Sequence, residues 1–120
     1  MNNLKYEDLE IYQLAEKLSD RIWEIVVRWN DIAQKTYGIQ IIDSSSSIGS
    51  NLAEGYGKGS NPDRARFAKI SRGSLYETIH WINKTYRLKI LSESEFNELS
   101  GICDMLTPKL SAYINYLNKK

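Results

Sequence analysis

An all-α fold, an antiparallel up-down-up-down four-helix bundle, is predicted by three observations on this chain. Apolar residues recur at steps of three and four over most of its length. No Asn-Gly or Asp-Gly turn occurs, and no apolar–polar alternation lasts long enough for a strand. Short corners divide the chain into four helical stretches of about 20–28 residues, which fold back on one another as neighbours. At 120 residues the whole chain, 1–120, fits one domain.

In the first helix, expected from Asp8 to Lys35, Ile11, Leu14, Leu18, Ile22, Ile25, Trp29 and Ile32 form one stripe within an arc of about 80°. The second is expected from Gly38 to Tyr56. Ile41, Ile48 and Leu52 share its apolar face among small residues, and the run Ser44–Ser47 suits close approach of a neighbouring backbone. Serine is a mediocre helix former, so packing must supply the stability there. The third helix is expected over residues 62–89. Ser60 or Asn61 can cap it, Pro62 suits its first turn, and Asp63 favours its positive end. Ser92 and Glu95 form a Ser-x-x-Glu capping box that opens the fourth helix. Its seam is Phe96, Leu99, Cys103, Leu106, Leu110, Tyr113 and Leu117, with a kink or break expected at Pro108. Tyr12, Trp23, Val27, Trp81, Met105 and Tyr116 fall off these stripes, and such aromatic groups point to a partner surface and self-association.

Several function classes drop away. No run of about 18 apolar residues could span a membrane, and the N-terminal residues lack a secretory pattern. A single cysteine, Cys103, forbids an internal disulfide and fits a reducing cytoplasm. One His and one Cys give no metal-ligand spacing, nothing orients them as a dyad, and no cofactor or catalysis is expected. The glycine-rich stretch Asn51–Asp63 mimics a phosphate cradle, but Gly57-Lys58 is followed by Gly59 rather than Ser or Thr. A dinucleotide fingerprint starting at Gly55 would need a glycine where Ser60 stands, and no strand precedes either motif. A corner is the better reading, with Gly55 as a left-handed helix cap. A residual anion role remains for Lys58 and the free N–H groups of the third helix.

The net charge is only +1, but its distribution is uneven. Residues 56–90 carry eight basic and two acidic side chains, net +6. On the third helix Arg66, Lys69, Arg72, Lys84 and Arg87 fall within an arc of about 120° that also holds Tyr76, His80 and Asn83. Phe67, Ile70, Ser74, Leu75, Ile79, Ile82 and Tyr86 lie mostly opposite. Cations on such a stripe neutralise phosphate and release counterions, and Tyr or His can stack on an unpaired base. Solubility alone, or an acidic protein partner, would also account for it.

Three pieces of the chain carry a family likeness: YEDLEIYQLA (Tyr6–Ala15), SIGSNLAEGYGKGS (Ser47–Ser60) and RFAKISRGSLYETI (Arg66–Ile79). In order and spacing they resemble the bacterial four-helix-bundle proteins encoded within 23S rRNA intervening sequences, a family similar to the accessory variability proteins of diversity-generating retroelements. The resemblance implies an antiparallel bundle assembling as a homo-oligomeric ring, commonly a homopentamer, with no known catalysis. In the retroelement branch it also implies a cationic ring that engages nucleic acid and a reverse transcriptase. Asn51, Glu54 and Gly55 match the end of the family's second helix, and Arg72, Gly73, Ser74 and Glu77 match its third-helix signature. Gly73 and Ser74 are expected to permit tight helix approach, and Glu54 to pair with an arginine. Gln40 is followed by Ile41, Ile42 and Asp43 where the family usually has a basic pair, and Gly49 replaces a common proline. The third helix is left to carry nucleic-acid binding, through Lys58, Arg66, Lys69, Arg72, Tyr76, His80, Lys84 and Arg87.

Overall fold

The computed structural model describes residues 5–119. A 3-10 turn, Tyr6–Asp8, leads into α1 (Glu10–Val26). A short α2 (Asp31–Ala33) continues through a π-helical turn, Gln34–Gly38, into α3 (Ile39–Lys58). The helices α4 (Asn61–Arg87) and α5 (Glu93–Asn118) follow, and no strand occurs among the described residues.

Side-chain pairs establish the topology. Ser44 meets Thr78 and Ser47 meets Ser74, so residue numbers rise along α3 as they fall along α4. Arg28 with Glu95, Arg21 with Glu98 and Glu10 with Lys109 show the same reversal between α1 and α5. Tyr86 with Phe96 and Arg72 with Ser111 show it between α4 and α5. Each long helix packs on two others, α1 and α4 both lying against α3 and α5. This is the square of an antiparallel four-helix bundle, 49 × 21 × 21 Å. Leu18, Ile22, Ile25, Ile41, Ile48, Leu75, Ile82, Leu99, Leu106 and Leu110 fill its axis, all fully buried.

The expected start and stop chemistry is largely present. Ser60 accepts the Asp63 N–H at 3.2 Å, and Ser92 accepts the Glu95 N–H at 3.1 Å while Glu95 accepts the Ser92 N–H. Each such cap contributes about 1 kcal/mol. The first helix differs. It ends at Val26 instead of continuing to Lys35, because two polar side chains terminate it. Asn30 caps a new helix by accepting the Ala33 N–H, and the Gln34 side-chain amide donates to the Val26 and Val27 carbonyls. Ile32 therefore leaves the apolar stripe and is 74% exposed. The fourth helix runs unbroken through Pro108.

The α3–α4 seam is built from small residues, as the serine run predicts. Ser71 donates to the Ile48 carbonyl at 2.8 Å, Thr78 to Ser44 Oγ at 2.9 Å, and the Ser47 and Ser74 hydroxyls are 2.7 Å apart. Asn51 donates to the Ser47 carbonyl and hydroxyl. These bonds satisfy the hydroxyls that close approach buries. Gly55 is corrected from a cap to a contact residue. It is helical and buried, and a Cβ there would stand 2.6 Å from Phe67 Cβ. The left-handed cap is Gly59, with φ 88°. Gly73 does not mediate close approach, since a Cβ there would meet nothing within 4 Å. Glu54 is exposed and has no ion pair among the described residues.

Candidate nucleic-acid interface

The cationic face lies on α4, which is held in orientation by its buried side. Ala65, Ala68, Ser71, Leu75, Thr78, Ile82 and Thr85 are buried at helical spacing, so the opposite side must face outward. Arg66, Lys69, Tyr76, His80 and Arg87 are exposed there, and Lys84 is half-buried beside them. Arg72 turns toward α5 and reaches Ser111 Oγ at 3.4 Å. Ile70, expected on the buried side, is 45% exposed and joins the outer surface.

Not all eight cations of residues 56–90 are available. Arg64 folds over the Tyr56 ring, 4.1 Å from its centroid, and its Nε is buried. Arg66 bonds to Asp63 at 3.1 Å, and its guanidinium stands 4.5 Å from the centre of the Phe67 ring. Lys58, Lys69, Arg72, Lys84 and Arg87 have no ion pair among the described residues. The anion slot at the start of α4 is already filled. Hydrogen bonds from Arg66 and Ser60 hold the Asp63 carboxyl below the usual carboxylate range. An external phosphate there would meet a resident carboxylate, so Lys58 has no cradle to complete.

Aromatic groups interrupt the cations. Tyr76 is 53% exposed. The His80 ring lies 4.7 Å from Trp81, nearly perpendicular at 67°, and Tyr37 packs on Trp81 at 5.8 Å. Trp81 donates its indole N–H to Glu77 at 3.1 Å. Glu77 thus braces an aromatic row. The i, i+4 spacing of Glu77 and Trp81 carried that signal.

Of the residues expected at a subunit contact, Tyr12 and Trp81 are half-buried against the core, while Trp23 and Val27 are open, at 58% and 48%. Ile39 joins those two around a groove of about 610 Å³ between α1 and α3, with Asp43 and Ser46 at its edge. Ile39 was missed because the expected second helix placed no outward apolar face there.

The sole Cys and the sole His differ in setting. Cys103 is buried, and burial, aided by the Asp104 charge, pushes its thiol up to about 12. His80 faces outward against Trp81, so the structure does not bring the two together. No group of three or more His, Cys, Asp or Glu side chains is placed to hold a metal among the described residues, and none of their helices is long and apolar enough to cross a membrane.

The family described as 23S rRNA-intervening sequence protein matches residues 7–112. The chain belongs to that family. A solved crystal structure from Bacteroides thetaiotaomicron VPI-5482, described as a protein with unknown function from the S23 ribosomal protein family, superposes with a TM-score of 0.77. It shares 17% sequence identity over 87% of this chain and 97% of that chain, a likeness of fold. No curated protein sequence matches. Of the residues that carried the resemblance, Gly55 and Ser74 touch across the α3–α4 seam, Asn51 supports it through Ser47, and Glu77 braces Trp81.

Proposed function

We propose that this protein is a non-enzymatic, homo-oligomeric accessory factor that associates with RNA or DNA through the outer face of α4, in the cytoplasm. The observation that carries the reading is the set of exposed cations Lys69 and Arg87, with Lys84 and Arg72 beside them, none ion-paired among the described residues. Cations that protein carboxylates have not neutralised are free to replace the counterions of a phosphate backbone. The reading needs no catalytic group. The assembly is a ring, pentameric as the resemblance implies, and a reverse transcriptase is the protein partner consistent with it.

Binding of a labelled RNA strand, followed by fluorescence anisotropy, tests the reading. With five phosphate contacts, affinity falls about 100-fold between about 50 and about 200 mM salt. Reversing Arg66, Lys69 and Arg72 to Glu abolishes it. No binding to RNA or DNA at low salt removes the reading. A sedimentation mass equal to one 13.9 kDa chain removes the ring.

The open groove at Trp23, Val27 and Ile39 favours a second reading, a structural oligomer that binds proteins and no nucleic acid. Salt-independent assembly together with failure to bind any nucleic acid supports it over the first.

A further inference from the structure

We propose that the outer face of α4 takes a single strand, its phosphates gripped at the two ends of the helix and its unpaired bases stacked on Tyr76 and His80 between them. The inference rests on the nucleic-acid reading above and narrows it to one substrate class. The cations are not spread evenly. Lys69 and Arg72 lie toward one end, with the Asp63-paired Arg66 beside them, and Lys84 and Arg87 toward the other. The twelve residue-to-residue steps from Arg72 to Lys84 span about 18 Å of helix. That middle stretch has no cation and carries the Glu77 carboxylate beside exposed Tyr76 and His80.

The two forms of nucleic acid fit this arrangement differently. A duplex carries one negative charge per about 1.7 Å of axis. Laid along α4, it would set about ten charges over a length with no cation and one carboxylate. It would also keep its base faces paired and hidden from the aromatic rings. A single strand can turn its backbone away from the middle stretch and its bases toward it. Tyr76 and His80 are four residues apart, about 6 Å along the axis, which makes them successive platforms on one face.

The His80 platform is braced. Glu77 accepts the Trp81 indole N–H, and the indole packs against the His80 ring on one side and Tyr37 on another. A ring held this way loses little freedom when a base stacks on it. Glu77 is therefore a positioning residue, and its charge repels phosphate from the platform.

The test compares a labelled 12-nucleotide RNA strand with the same strand annealed to its complement. The proteins are the wild type, Tyr76→Ala, His80→Ala, and the reversal Lys69→Glu with Arg87→Glu. Thermal midpoints confirm that folded proteins are being compared. The expected result is preference for the single strand, with a loss of about 5- to 150-fold on removal of either ring and no loss for the duplex. Tyr76→Phe restores the affinity. Equal affinity for the duplex overturns the inference, as does single-strand binding untouched by removal of either ring. In those cases abolition by the charge reversal leaves the phosphate reading standing. Absence of binding to either form removes both.

Discussion

The two sides of α4 have opposite chemistry. Toward α3 it presents Ala68, Ser71, Leu75 and Thr78, all fully buried, with hydroxyls donating across the seam. Toward solvent it presents Lys69, Tyr76, His80 and Arg87, with no bond to α3 or α5. One side is specified by volume, because a methyl group too many collides. The other faces solvent, where most substitutions other than proline change stability little. The difference teaches that the residues that hold α4 in the bundle are separate from those on which the proposed binding rests, so the proposal predicts that each can be removed without the other.

The largest effect on stability comes from the inner side. Leu75→Ala leaves a cavity on the bundle axis and costs about 2–5 kcal/mol, while RNA affinity of the folded protein stays unchanged. Denaturant unfolding checks the first part, and anisotropy the second. Gly55 and Gly73 sharpen the contrast. Alanine improves helix propensity by about 1 kcal/mol at either position. At Gly55 the collision with Phe67 outweighs that gain, and Gly55→Ala destabilises by about 1–3 kcal/mol. At Gly73 nothing opposes it, and Gly73→Ala stabilises by about 0.5–1 kcal/mol.

Cys103 gives a pH-dependent signal from the interior. Its folded value near 12 lies above the ordinary 9.0, so the unfolded chain releases its proton first. The contribution is complete below pH 9.0 and is lost as pH rises toward 12, at up to about 1.4 kcal/mol per unit. Urea melts across that range show a steeper decline in the wild type than in Cys103→Ala. The smallest effect on stability belongs to the outer side. Lys69→Glu shifts stability by no more than about 0.5 kcal/mol while weakening RNA binding.

The inner side of the bundle was readable in the sequence wherever burial and helical period coincide. The α5 seam from Leu99 to Leu117 and the caps Ser60 and Ser92 follow from local rules, and the structure places them as those rules require. The break after Val26 was hidden because apolar spacing continues through Trp29 and Ile32 past the real helix end. Only the Asn30 cap and the Gln34 amide mark the boundary, and both act through bonds that periodicity does not record. The roles of Gly55 and Gly73 were equally illegible. Both stand in small-residue surroundings, but only tertiary contact reveals that one touches Phe67 and the other touches nothing. The cationic arc was visible from spacing. Its real extent was not, since diversion of Arg64 over Tyr56 and the Asp63 bond to Arg66 depend on side-chain reach.

The most direct test of the separation measures RNA affinity across a salt series for two folded variants of α4, Leu75→Ala and the Lys69→Glu, Arg87→Glu reversal. The account predicts that Leu75→Ala, though much less stable, keeps the wild-type affinity and salt slope, whereas the reversal keeps wild-type stability and loses binding. Affinity that follows stability, or a reversal that binds as tightly as the wild type, would contradict it.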